Sequence, residues 1–288
     1  VIQEMLSSPL MQRALIVAVL VGMAAPIVGT YLVQRGMALL GDGIGHISLT
    51  GVALGWLAAG VIGVAPESLA IPGAVVASVA GAILIEVVRS YGRTGGDVAL
   101  AMLFYGGIAG GVLLIRIAGG TTTNLTSYLF GSIATVSTQD VYYTIGLAAF
   151  ILIVGLGLRG PLFALSHDAE FAQASGLPVR ALNILVAIVA ALTVSVSMRV
   201  VGVLLVSAIM IVPVAIGQLV SDSFVRTMRI AQVIGILACL IGLVITYTVP
   251  ASPGATIVML LIGLYVVVAI AHSLVGVLAR KRAQTDAR

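Results

Sequence analysis

Residues 254–278 read GATIVMLLIGLYVVVAIAHSLVGVL, with no Asp, Glu, Lys or Arg among them. A helix needs about 20 apolar residues to cross the hydrocarbon core of a bilayer. This stretch therefore reads as a transmembrane helix, and the rest of the chain repeats it. Further apolar runs occupy residues 10–33, 37–61, 69–91, 96–118, 138–160, 179–198, 200–220 and 226–249. Over 288 residues the apolar set reaches 60%, while Asp, Glu, Lys and Arg make up only 8%. A soluble domain carries about 25% charged residues, so this chain cannot cover a globular surface in water. Disorder is excluded as well, because it requires low hydrophobicity and high charge. The 34 glycines suit helices that pack closely within lipid. The expected fold is all-α: a polytopic helical membrane protein with eight to nine transmembrane helices, nine being favoured, in a single domain over residues 1–288.

Two places complicate the count. Residues 179–198 and 200–220 are barely separated, so one of the pair is expected to be broken or re-entrant. Thr121–Ser137 (TTTNLTSYLFGSIATVS) is too polar for an easy span and reads as interfacial or re-entrant. The first run is longer than a signal-peptide core of about 7–15 residues and reads as a true span, despite the small residues Met23-Ala24-Ala25. Pro26, Pro72 and Pro213 are expected to interrupt helices and free backbone carbonyls.

Cytoplasmic loops carry the excess of Lys and Arg. With the 159–180 loop inside, nine spans place Arg35, Arg89, Arg93, Arg159, Arg180, Arg226, Arg229, Arg280, Lys281, Arg282 and Arg288 inside. Only Arg13, Arg116 and Arg199 fall outside. The N-terminus is then outside and the C-terminus inside. The tail Arg280–Arg288 reads as a positive anchor. The net charge of +4 thus reflects topology; no clustered basic surface points to nucleic acid. Cys239, the single cysteine, cannot form an internal disulfide and reads as a packing residue.

An ionisable side chain inside a span costs about 2.5–3.5 kcal/mol on insertion scales and is a functional candidate by default. The set is Asp42, His46, Glu86, Asp97, Arg116 and His272. Glu86 and Arg89 are three residues apart and are expected to form a local ion pair. Asp97 suits a helix N-terminus, Arg116 can snorkel, and His272 reads as a packed, hydrogen-bonded residue. Asp42 and His46 stand apart, within Gly41-Asp42-Gly43-Ile44-Gly45-His46. Four residues bring both side chains to one helix face. A carboxylate oxygen and an imidazole nitrogen can contact one divalent ion. From spacing alone, an Asp–His pair that stabilises a bent helix fits equally well.

The inner loop after the fifth span runs from Ser166 to Pro178 (SHDAEFAQASGLP). Ser166 is expected to cap a short helix with acidic residues in its first turn. Gly176 would end it and Pro178 would start the next span. Small residues and one aromatic suit docking into a partner's groove; an ordinary connector fits too. No Gly-x-x-x-x-Gly-Lys-Ser/Thr motif occurs, so the chain has no P-loop for ATP.

Three segments together resemble the permease subunit of zinc/manganese/iron ABC importers. The first is Gly29 to Ala53, containing Gly29-Thr30, Arg35, Gly41-Asp42, His46 and Gly51-Val52-Ala53. The second is the inner loop, similar to the family's coupling segment at Asp168, Glu170, Ala172 and Gly176. The third is Gly202 to Pro213, similar to a Gly-x-Leu-Leu-…-Pro helix. Departures are Gly45 where Ser is common, Thr50 where Pro is common, and the lack of Asp before Pro250.

The resemblance implies a type II importer fold in a bacterial inner or plasma membrane. It implies a second copy of the permease, a central pathway and a lipid bilayer around it. It also implies a separate cytosolic ATPase docked at the coupling segment, and an extracytoplasmic metal-binding protein. Asp42 and His46 would then contact the transported metal, with zinc expected before manganese and no cofactor held permanently. The chain itself would not be an enzyme. Two other readings stand beside this one: an ion-gradient-driven secondary transporter, and an ABC permease for a metal chelate such as a siderophore.

Overall fold

Backbone buried in lipid must satisfy its own hydrogen bonds, and an apolar run does so as a helix. A computed structural model describes residues 7–90, 96–132 and 136–286, without the side chains of 90, 96–97, 122–125, 199–200, 204 and 276–286. Expectations for Arg93, for the side chains of Asp97 and Arg199, and for the charges of the tail Arg280–Arg288 lie outside the described residues.

Among the described residues the regular structure is entirely helical. In chain order the helices are α1 (Pro9–Gln34), α2 (Leu40–Ile62), α3 (Pro66–Ser90), α4 (Gly96–Ile117), α5 (Thr122–Phe130) and α6 (Thr138–Gly157). There follow α7 (Arg159–His167), α8 (Ala169–Ala174), α9 (Val179–Val201), α10 (Val203–Val220), α11 (Phe224–Thr248) and α12 (Pro253–Asp286). Eight of them are long and apolar enough to cross a membrane: α1, α2, α3, α4, α6, α9, α11 and α12. The ninth apolar run is α10, whose apolar stretch Leu205–Val220 is shorter.

The break between α9 and α10 has a local cause. Gly202 adopts φ +93°, a conformation that glycine tolerates and side chains resist. A Cβ there would collide with the Leu129 carbonyl oxygen and the backbone at Phe130–Gly131. The turn is therefore seated on the end of the short helix α5, in the segment expected to be interfacial or re-entrant. The three prolines do not interrupt their helices as expected. Pro26, Pro72 and Pro213 sit inside continuous α1, α3 and α10. Neighbouring helices can absorb the missing hydrogen bond at such positions.

α1 is the central pillar, buried along most of its length and packed against α6, α9, α10 and α11. α2 packs on α3, α4, α9 and α10. A polar seam crosses this second group: the Ser195 hydroxyl lies 2.5 Å from that of Ser78 and 3.3 Å from that of Ser48. Hydroxyls of this kind hold helices together where apolar contact gives no preference over lipid. α12 runs along the edge, with Met259, Val267 and Leu274 exposed. His272 lies on that edge and is exposed, not packed as expected, because little of the bundle lies over this part of α12.

Several basic positions gather at one end of the bundle. Arg89 lies 3.5 Å from Glu86, the ion pair expected from their spacing. Arg89 Nη1 also donates to the Met37 sulfur at 2.9 Å. Arg35, next to α1, has its pKa drawn down by burial first, partly restored by Glu86 and lowered again by Arg89. A guanidinium keeps its charge regardless. Arg89 and Met37 border a cavity of about 350 Å³, lined also by Gly36, Ala38, Leu39, Leu40, Ile85 and Leu100. At the same end, the Tyr31 hydroxyl donates to the Gly155 carbonyl at 2.5 Å, and Phe224 packs tilted against Tyr31 and edge-on against Phe163.

Candidate metal pathway and coupling segment

Asp42 and His46 occupy the first two turns of α2 and share one face, as their spacing requires. Asp42 lies within electrostatic reach of His46. His46 is 3% exposed, and its Nδ1 has no hydrogen-bond partner. Burying a polar atom unpaired costs about 1–3 kcal/mol, so this nitrogen is an unused polar atom inside the bundle. The ring meets Phe104 of α4 edge-on, with centroids 4.5 Å apart. Among the described residues, no group of three or more His, Cys, Asp or Glu is placed to hold a metal.

Glycine lets the neighbouring helix reach this face. A Cβ on Gly45 would lie 2.9 Å from Val203, and one on Gly41 would lie 2.6 Å from Met210 and 3.3 Å from Ser207 Cβ. With α10 this close, the Ser207 hydroxyl donates to Asp42 Oδ1. Neither Ser207 nor Phe104 was singled out from the sequence. Ser207 falls in the Gly202–Pro213 segment that carried the resemblance, and this was its only signal.

The second site lies in the loop between α6 and α9. Ser166 does not cap the short helix. It sits inside α7 and donates to the Leu162 carbonyl at 2.7 Å. Asp168 is the cap instead: it precedes α8, and its Oδ1 accepts from the Phe171 N–H at 2.9 Å. Because α7 continues through His167, the first free capping position moves to Asp168. Gly176 ends α8 at φ +81°. The Leu177 N–H donates to the Ala172 carbonyl and the Gly176 N–H to the Gln173 carbonyl, both at 3.0 Å. This paired pattern closes a helix around a left-handed glycine. Pro178 then forms the N-cap of α9. Ala172 is fully buried, whereas Asp168, Glu170 and Gly176 are exposed and Phe171 is 64% exposed. The helix is pinned by its small residue and presents its acidic and aromatic side chains outward.

Residues 7–272 match the ABC 3 transport family. The chain belongs to that family. It is 30% identical over 277 residues to the manganese transport system membrane protein MntC of Halalkalibacterium halodurans, covering 96% of this chain and 92% of that one. It is 30% identical to the chelated iron transport system membrane protein YfeD of Yersinia pestis, covering 98% and 92%. Among solved structures it resembles PsaBC from Streptococcus pneumoniae in complex with Fab, with TM-score 0.80, 30% identity, and coverage of 93% and 95%. The chain is a permease of the metal ABC importer family and a multi-pass bacterial cell-membrane protein.

Proposed function

We propose that this permease takes up a free divalent metal ion, manganese before zinc, through a pathway passing Asp42 and His46. The observation that carries the reading is the buried imidazole Nδ1 of His46 without a partner, one helical turn from Asp42. Zinc was the expectation from sequence. Manganese is favoured by the two oxygen groups at the pair, where the Asp42 carboxylate meets the Ser207 hydroxyl, and by the name of the MntC relative.

The chain acts as one permease unit. A second copy completes the central pathway, an extracytoplasmic metal-binding protein delivers the ion, and the bilayer surrounds the assembly. ATP hydrolysis occurs on a separate cytosolic ATPase, in keeping with the missing P-loop. The ATPase docks on Asp168–Gly176, where Glu170 and Phe171 face outward. Movement of α8 is passed through α7 to Phe224 and Tyr31 at the end of α1. The packing of α1 on α10 carries it on to α2, and access switches from outside to inside. A single carboxylate and imidazole hold the cation weakly, which permits release.

Reconstitution of the permease with its ATPase tests this reading. ATP-dependent uptake of manganese chloride that survives an uncoupler supports it. Uptake without ATPase that collapses with the uncoupler identifies a secondary transporter. Uptake of a chelate but not of the free salts identifies a chelate permease.

A further inference from the structure

Asp42 and His46 supply one oxygen and one nitrogen donor, too few to choose between metals. α10 brings a third candidate atom. Ser207 is 3% exposed, and its hydroxyl proton goes to Asp42 Oδ1. A hydroxyl that donates its one proton keeps two acceptor lone pairs. Those lone pairs are hard oxygen donors beside the carboxylate.

The packing places this oxygen deliberately. Val203 faces Gly45, while Ser207 and Met210 face Gly41. Positions 203, 207 and 210 fall on one face of α10 by the three-to-four-residue spacing. They run along the same two turns of α2 that carry Asp42 and His46. A larger residue at Gly45 would press on Val203 of α10, whereas one at Gly41 would first displace the flexible end of Met210.

We infer that Ser207 is the third donor of the site and that its oxygen sets the metal preference. The inference rests on the reading of Asp42 and His46 as the cation stop. Carboxylate, hydroxyl and imidazole together form an O, O, N set. Manganese accepts such a set, whereas thiolate and imidazole favour zinc. The side chain at 207 is thus a selectivity position: oxygen keeps manganese, and sulfur admits zinc.

The test compares initial rates of manganese and zinc uptake in proteoliposomes holding the permease and its ATPase. Ser207→Cys is expected to raise the zinc-to-manganese ratio about tenfold, equivalent to about 1.4 kcal/mol. Ser207→Ala is expected to lose manganese uptake more than zinc uptake. Ser207→Thr, which keeps the hydroxyl, is expected to keep the wild-type ratio. An unchanged ratio in both Cys and Ala variants overturns the inference, whether or not the rates fall. Equal loss of both metals would make Ser207 a buttress for Asp42 and nothing more. Should the Cys variant fail to assemble, the Ala and Thr pair decides. Asp42→Asn separates the levels: normal transport of both metals in that variant defeats the underlying site, independently of Ser207.

Discussion

The first turns of α2 and the short helix α8 are both small polar interruptions in an apolar chain, and they are completed in opposite ways. At α2, the chain itself closes over the pair: Phe104 covers His46, and Ser207 engages Asp42. At α8, only Ala172 is buried, while Glu170 and Phe171 face outward. Where the chain packs over a polar group, that group's neighbours are fixed by packing. An exposed helix leaves its partner to another molecule. The first region is therefore expected to govern cargo, and the second assembly.

Substitutions can break this division. The largest effect is expected at the α2 pair: Asp42→Ala or His46→Ala reduces metal uptake to the background of empty vesicles, while co-purification with the ATPase is retained. Loss of the ATPase from either variant would merge the two regions into one structural unit.

The next effect tests what holds α10 beside α2. Gly202→Ala forces a side chain into a positive-φ turn against Leu129 and Phe130. Strain of this kind costs about 1–3 kcal/mol. Thermal unfolding in detergent should show a clear fall in midpoint, and uptake should fall with it. An unchanged midpoint would show that the α9–α10 turn is not fixed by its seat on α5.

At α8, Glu170→Arg reverses an exposed charge and should weaken capture of the ATPase without altering the unfolding midpoint. The smallest effect is expected from Asp168→Ala. Losing an N-cap costs about 1 kcal/mol, here confined to one short exposed helix. Hydrogen exchange at 171–174 should quicken while uptake drops only modestly. If Asp168→Ala disrupts transport more than Glu170→Arg, helix integrity matters more than the docking charge.

Eight spans were legible in sequence, because apolar runs of sufficient length have no other stable arrangement in lipid; the favoured ninth, α10, has an apolar stretch too short to join them, since the turn at Gly202 is not visible in composition. The shared face of Asp42 and His46 was legible too, since it depends only on helical spacing. Ser207 was not. Its contact joins residues 165 apart in the chain, and a serine in an apolar helix is common. The capping residue was misplaced by two positions because Ser166 and Asp168 are both good caps. Only the extent of α7 selects between them. His272 was misread because an apolar run does not reveal which helix stands at the edge of the bundle.

The proposed transport depends on Asp42 as the stop for a cation. The most direct measurement is ATP-dependent manganese uptake by proteoliposomes holding permease and ATPase, wild type against Asp42→Asn. Uptake that resists an uncoupler in wild type and vanishes in Asp42→Asn, with the complex intact, is the predicted result. Equal uptake by the two proteins would contradict it.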